Sequence, residues 1–495
     1  MPHLRHGPRA QSGWKVISIQ TPIFTLLVAG LLTGCASSSP KDSFSQVQSI
    51  ANERLNKRIQ WNTRSSDDQA AQRAVDDLLA HPLTADIAVQ IALLNNHRLQ
   101  AIFEDLGIAQ ADFVQAGLLQ NPVFNLSIRF PNQAPGKTYL DIAAAENFLN
   151  IFLIPARKKI AATQLRQTTA RVSDEVLSLA AQAQSAFYDY QAAEQIVELR
   201  RSISDAAGAS YDAATRLRQA GNITELAYLS ERSQAARATI DLTSAKADAD
   251  DAREKLNALL GVWGSETDWT ADKHLPELPG DEINPQGLES LAINQRQDLA
   301  AAKQQLQANS QLYGFTVDTR FFAEASAGVE GERETDGQWR VGPTLSVPVP
   351  LFDNGQAAIP RAAAVVRQSQ QRYIELAVEI RAQVRAARAR MLNARQQAQF
   401  YHDEILPTQQ KLLDQTQLHF NGMLVDVFGL LRAKRDEIDA AANYVQALHM
   451  YWTSRAELQR AVGGRLPPGQ MVMPTSQPAT SQPAADEHQH HHGDM

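Results

Sequence analysis

Side chains that could do chemistry gather near the C-terminus of this 495-residue chain. The last ten residues read Asp486-Glu487-His488-Gln489-His490-His491-His492-Gly493-Asp494-Met495, with His488, His490, His491 and His492 falling within five positions. Closely spaced imidazoles on a flexible polar segment can chelate copper, nickel or zinc, and Met471 and Met473 supply soft thioether donors just upstream. Metal capture is the chemistry this pattern implies. A solvated polar tail is the competing reading.

The other reactive side chain is Cys35, the only cysteine, so no intramolecular disulfide can form. Arg5, Arg9 and Lys15 precede an apolar run from Pro22 to Leu32 that closes in Leu32-Thr33-Gly34-Cys35. The run is too short to span a bilayer as a helix and reads as a secretory signal. Leu-x-Gly-Cys resembles the bacterial lipobox, which implies that residues 1–34 are removed and that Cys35 becomes the acylated first residue. Ala36 is not the aspartate that commonly retains such lipoproteins at the inner membrane.

No catalytic centre is legible. Gly136-Lys137-Thr138 matches only the end of a phosphate loop: Pro131 replaces the first glycine, and the stretch joins two expected strands. H-E-x-x-H and G-x-S-x-G are absent, and His81, His97, His274, His402, His419 and His449 are scattered. The chain is therefore read as no enzyme and as needing no cofactor. A net charge of -7, with basic residues interspersed among acids, excludes an evident nucleic-acid surface.

The elements that would carry these ends are long helices. From Arg157 to Leu260 there is no proline, and Ala220-Gly221-Asn222 interrupts the run, so two helices folded back at Gly221 are expected. Val172, Val176, Leu179, Ala183, Ala186, Tyr190, Ala193 and Val197 recur in steps of four and three, the spacing of a coiled-coil seam. A helix over 157–219 would be roughly 95 Å long, too long for one globular core. Adding 201 to each seam position gives Tyr373, Ala377, Ile380, Val384, Ala387, Met391, Ala394 and Ala398, and adding it to Gly221 gives Gly422. Similar offsets, 200 between Ala92 and Ala292 and 202 between Leu256 and Leu458, indicate an internal duplication.

Between its helices each repeat switches to period two. Phe124, Leu126, Ile128 and Phe130 alternate with polar residues, as do Leu140, Ile142 and Ala144. In the second repeat a strand is expected over Phe321 to Glu330, then a polar loop from Gly331 to Gly337, then a strand from Trp339 to Val347. Runs of about nine or ten residues with one apolar face suit strands tilted across a bilayer. Only a closed barrel satisfies the backbone in lipid, and four strands cannot close one, so oligomerisation is expected.

The chain divides into a lipoprotein signal (1–34), an anchor segment packed on the outside (35–83), repeat one (84–261), a connector packed by Trp263 and Trp269 (262–285), repeat two (286–463) and a Pro/Ser- and His-rich tail (464–495). Thr84 is the expected N-cap of repeat one, whose opening helix carries Ile87, Ile91, Leu94 and Leu99 on one face.

This order of lipobox, helix, two strands and helical hairpin, with all but the lipobox repeated, resembles the TolC family of outer-membrane efflux proteins, especially its acylated members. Asn121-Pro122, Pro350-Leu351-Phe352-Asp353-Asn354-Gly355, and the segments that follow Gly221 and Gly422 fit the family pattern. His97 and Gln297 stand where proline is usual. The resemblance implies a mainly α fold with a membrane β-barrel: a homotrimer whose duplicated hairpins form a periplasmic α-barrel below an outer-membrane barrel of about twelve strands. It places Gly221, Glu225, Gly422 and Asp426 at the periplasmic tips, with Asp426 as a candidate pore-mouth carboxylate and Gly429 where a second acid is expected. It further implies a passive conduit joined to a periplasmic adaptor and an inner-membrane pump. The tail tilts the cargo toward heavy metals, copper or silver first; drug or organic-solute efflux and a type I secretion duct are the alternatives. A lipid-anchored periplasmic coiled-coil adaptor without a pore is the reading from another class.

Overall fold

The Thr84 hydroxyl accepts the Ile87 N–H at 3.2 Å and starts helix α3 (Ala85–Asn95). The periodicity predicts one helix through Leu99, but the chain breaks at Asn96, whose side-chain oxygen caps α4 (His97–Ala116) by accepting the Leu99 N–H at 2.9 Å. The break is fixed from outside the segment. Asn95 donates to the carbonyls of Leu260 and Gly261, and Asn96 to that of Leu259, so the opening of the repeat is tied to its far end.

The computed structural model describes residues 41–130, 138–146, 149–280, 286–321, 325–334, 336–347 and 349–467. Two helices, α1 (Lys41–Leu55) and α2 (Ser66–Leu79), precede α3. After α4 come β1 (Val123–Arg129), β2 (Tyr139–Glu146), the 71-residue α5 (Leu149–Gln219) and α6 (Glu225–Leu260). The second unit repeats the order: α7 (Leu288–Gln295), α8 (Gln297–Thr319), β3 (Ser326–Arg333), β4 (Trp339–Ser346), α9 (Ala358–Phe400), a π-helical turn (Tyr401–Ile405), α10 (Leu406–Asn421) and α11 (Val427–Ala461).

The seams behave as small-residue contacts between long helices. Val172, Val176, Ala183 and Tyr190 are buried in one unit, and Ile380, Val384, Ala387, Met391 and Ala398 in the other. The residues before α3 do not merely cover this core, as the polar sequence suggests; they join it. Phe44, Val47, Ala51 and Ile59 are buried, and Phe44 meets Phe103 edge-on with ring centroids 5.2 Å apart. One apolar residue per helical turn suffices for this, which is why composition hides it.

The constant 201-residue offset fails at the tips. Gly221 has φ 75° and donates to the Arg218 carbonyl; the residue with that geometry in the second hairpin is Met423, with φ 59° and a bond to Phe420, whereas Gly422 has φ -84°. The true spacing there is 202, so one extra residue lies between Ala398 and Phe420. The π turn at Tyr401–Ile405 falls in that interval and, because each of its bonds spans one more residue than in an α-helix, takes up the insertion.

All four strands form one antiparallel sheet in the order β1-β2-β3-β4. Strand β3 lies farther along than its alternation suggests: Phe321 lies in the turn after α8, and the strand runs from Ser326 through Arg333, which pairs with Leu140 and Trp339. Backbone pairing with β2 extends the strand into residues whose side chains look like loop. The strands are seven or eight residues long, shorter than their patterns imply. Of the expected positions, Phe322, Ala323, Glu324 and the segment from Pro131 to Gly136 lie outside the described residues.

Trp269 packs the connector, donating its indole N–H to the Asn257 oxygen at 2.7 Å beneath the Arg253 guanidinium, but Trp263 is exposed. Trp269 is held by Asn257 and Arg253 of the last turns of α6.

Candidate functional site: a two-faced sheet and the hairpin tips

Directly opposite residues in an antiparallel sheet share a face. Leu126, Ile142, Gly331 and Val341 therefore make one row across the sheet, and Phe124, Ala144, Val329 and Pro343 another. On this face the large apolar side chains Phe124, Leu126, Ile128, Val341 and Leu345 stand exposed. The opposite face carries the row Ser127, Asp141, Glu332 and Arg340. Tyr139 donates its hydroxyl proton to Glu332 at 3.0 Å, and the Arg129 guanidinium lies 5.3 Å from the Tyr139 ring centre. Two carboxylates facing each other across strands, as Asp141 and Glu332 do, need high-dielectric surroundings. One face thus suits hydrocarbon and the other water. Among the described residues the outer edges of β1 and β4 pair with no strand, an arrangement lipid tolerates only if further strands close the sheet.

Two helical hairpins run from the sheet end side by side. Arg200 of α5 pairs with Asp439 of α11 at 3.0 Å, and Ile203, Ala238 and Ile438 pack together below that pair. At the first tip Gly221 supplies the left-handed turn residue, Thr224 caps α6, and Glu225 pairs with Arg218 at 2.8 Å. At the second tip Asp426 caps α11, its carboxylate accepting the Gly429 N–H at 2.8 Å. With the 202 spacing Asp426 corresponds to Thr224 rather than to Glu225. A side chain at Gly429 would crowd its neighbours, since a Cβ there would lie 2.5 Å from a Val425 methyl and 3.3 Å from the Asp426 carboxylate. Leu226, Met423 and Leu424 are exposed at the tips.

Cys35, Met471, Met473, His488, His490, His491 and His492 lie outside the described residues. Among the described residues no three metal-ligating side chains converge, and no helix is long and apolar enough to cross a membrane.

Sequence reading missed a buried charge cluster where the two units meet. Arg296, in the position of the capping Asn96, is buried and binds Asp298 through two nitrogens, at 2.5 and 3.0 Å. Asp174 of α5 shares this surrounding. Burial, reinforced by the Asp298 charge, pushes its carboxyl up to about 6 from 3.8 against the opposing pull of Arg296 and Arg460. Its only sequence signal was an arginine standing where the first repeat has a cap.

A raised carboxyl holds its proton more tightly in the folded than in the unfolded chain. Stability should therefore fall as pH rises from about 4 through about 6 and then level off, by on the order of 3 kcal/mol. Asp174→Asn should remove that contribution. Its denaturation midpoint should match the wild type near pH 4 and exceed it at pH 7; an advantage that does not change with pH would refute the account.

No protein-family model matches the chain. It is 22% identical over 395 residues to the cobalt-zinc-cadmium resistance protein CzcC of Cupriavidus metallidurans, covering 78% of this chain and 91% of that protein. Among solved structures, the CusC channel superposes with a TM-score of 0.61 at 16% identity, covering 77% of this chain and 92% of CusC. The open-state MtrE outer-membrane channel of Neisseria gonorrhoeae gives 0.61 at 19% identity, with coverage of 76% and 88%. In its fold and the order of its elements the chain is similar to these outer-membrane channels.

Proposed function

We propose that the chain is the outer-membrane duct of a tripartite export system and passively conducts heavy-metal ions from the periplasm to the exterior. The observation that carries the duct is the two-faced sheet with open edges set on paired helical hairpins. Three copies would bring together about twelve strands, four from each, around a water-filled lumen. The exposed Leu226, Met423 and Leu424 give a periplasmic adaptor an apolar surface at the tips, and three Asp426 carboxylates around the axis would attract cations to the mouth. The driving energy comes from an inner-membrane pump. Metal cargo rests on the His488–His492 cluster and on the likeness to CzcC, a cobalt-zinc-cadmium resistance protein. Copper and silver suit the nearby thioethers of Met471 and Met473, and zinc and cobalt suit the imidazoles. Acylation at Cys35 would add a lipid anchor.

The test is growth of a strain lacking the protein on copper, silver, zinc, cobalt, cadmium and a drug panel, complemented by the full chain or by a chain ending at Pro474. Selective metal sensitivity that only the full chain rescues is the expected result. Sensitivity to drugs alone, rescued equally by both, would overturn metal export and leave a general efflux duct.

A further inference from the structure

Strands of eight residues tilted by 45° rise only roughly 19 Å, less than the apolar band of about 25 Å that an outer-membrane barrel presents to lipid. The shortfall of roughly 6 Å is about one helical turn. The helix ends beside the sheet carry a matching collar. Leu118 and Leu119 follow α4, Ile151 and Phe152 begin α5, and Leu351 and Phe352 precede α9; all six are exposed, Phe352 by 92%. They lie at the strand ends remote from the 130–138 and 334–338 loops, so exposed apolar side chains extend beyond the strands on the side of the helices.

Directly under this collar each repeat places cations. Lys158 and Lys159 sit on α5 in the exposed stripe of Ile151, Phe152 and Pro155. The Lys158 stem runs along Gly117, where a Cβ would be 3.7 Å from its Cδ, and its ammonium lies 5.3 Å from the Phe113 ring centre. In the second repeat Arg320 packs on Gly355, three residues after Phe352, and over Phe321 at 4.4 Å, while Arg361 is exposed on the first turn of α9. Of the acids near this level, Asp353 is turned onto the Gly355 N–H at 2.9 Å, Asp112 and Asp318 are exposed, and Glu146 ends β2. Apolar stems against rings with charged heads beyond them is the arrangement of side chains at a bilayer interface.

We infer that the collar is immersed in the periplasm-facing leaflet and that Lys158, Lys159, Arg320 and Arg361 bind the phosphate head groups of anionic phospholipids there. The inference rests on the membrane-channel reading above. It makes the helix ends, and not only the strands, part of the lipid contact, which resolves the mismatch in height.

The test uses the purified full-length protein in vesicles of phosphatidylcholine with a minor share of phosphatidylglycerol, measuring which lipid is retained on extraction. Wild type should enrich phosphatidylglycerol about fivefold or more over the bulk, and high salt should abolish the enrichment. The combined Lys158→Gln, Lys159→Gln, Arg320→Gln and Arg361→Gln variant should insert and assemble as wild type but lose the enrichment. Phe152→Ser with Phe352→Ser should instead reduce retention of both lipids equally. Unchanged enrichment in the four-fold variant would overturn the proposal. So would its failure to assemble in either lipid, which would assign the cations to contacts between copies. Failure of the wild type to insert at all would instead remove the channel reading itself.

Discussion

Gly261→Ala is expected to cost the folded chain about 3 kcal/mol or more, whereas Gly221→Ala should cost only about 1 kcal/mol. Both glycines have positive φ, 72° and 75°, so both substitutions carry the left-handed penalty. They differ in surroundings. A Cβ at Gly221 meets nothing within 4 Å, but at Gly261 it would lie 2.6 Å from the Asn95 carbonyl oxygen, which is backbone and cannot swing aside. The clash would separate the end of α6 from the Asn95 and Asn96 side chains that hold the α3–α4 break to the Leu259, Leu260 and Gly261 carbonyls. Gly463, at φ 83° and with Gln295 backbone at 3.1 Å, should behave like Gly261. Denaturation midpoints of the three alanine variants decide the matter. Equal losses at all three positions would mean that only backbone conformation counts and that the close approach is inconsequential.

The same residues show what the sequence could reveal. The seams were legible because burial follows helical spacing, and Val172 and Ile380 are buried where that spacing puts them. The sheet faces were legible for the same reason, since alternation at Leu126 and Ile142 reports one side of a ladder. The breaks at Asn96 and Arg296 were not, because without proline the local sequence permits a continuous helix and tertiary bonds decide. Nor was the inserted residue near Tyr401 visible: small residues at Ala394 and Ala398 keep the register to that point, and Gly422 then imitates a turn glycine while Met423 takes the left-handed conformation. The Asp426 carboxylate shows a limit of another kind. Its position at a tip follows from the repeat, but its bond to Gly429 within one chain is that of a helix cap, and a role at the mouth depends on its threefold copies.

Arg296→Met should be among the most damaging single substitutions in the helical body, at about 3–5 kcal/mol near pH 7. The guanidinium is 7% exposed, holds Asp298 through two nitrogens, and donates to the Gln383 side chain at 3.1 Å and to the Ala461 carbonyl at 3.5 Å. It thereby joins the start of α8, the middle of α9 and the end of α11. Methionine fills the volume but leaves Asp298 without its partner and removes the attraction that partly offsets the burial of Asp174. Two further variants separate charge from shape. Arg296→Met with Asp298→Leu removes the pair together and should recover most of the loss, because packed apolar side chains often match a buried ion pair. Acid should also relieve the single variant. The Asp174 carboxyl, already pushed up to about 6, will be protonated near pH 5, so the penalty there should be smaller than at pH 7. A loss that is the same at both pH values and unchanged in the double variant would mean that Arg296 acts as a packing element, with its charge immaterial to the joint between the repeats.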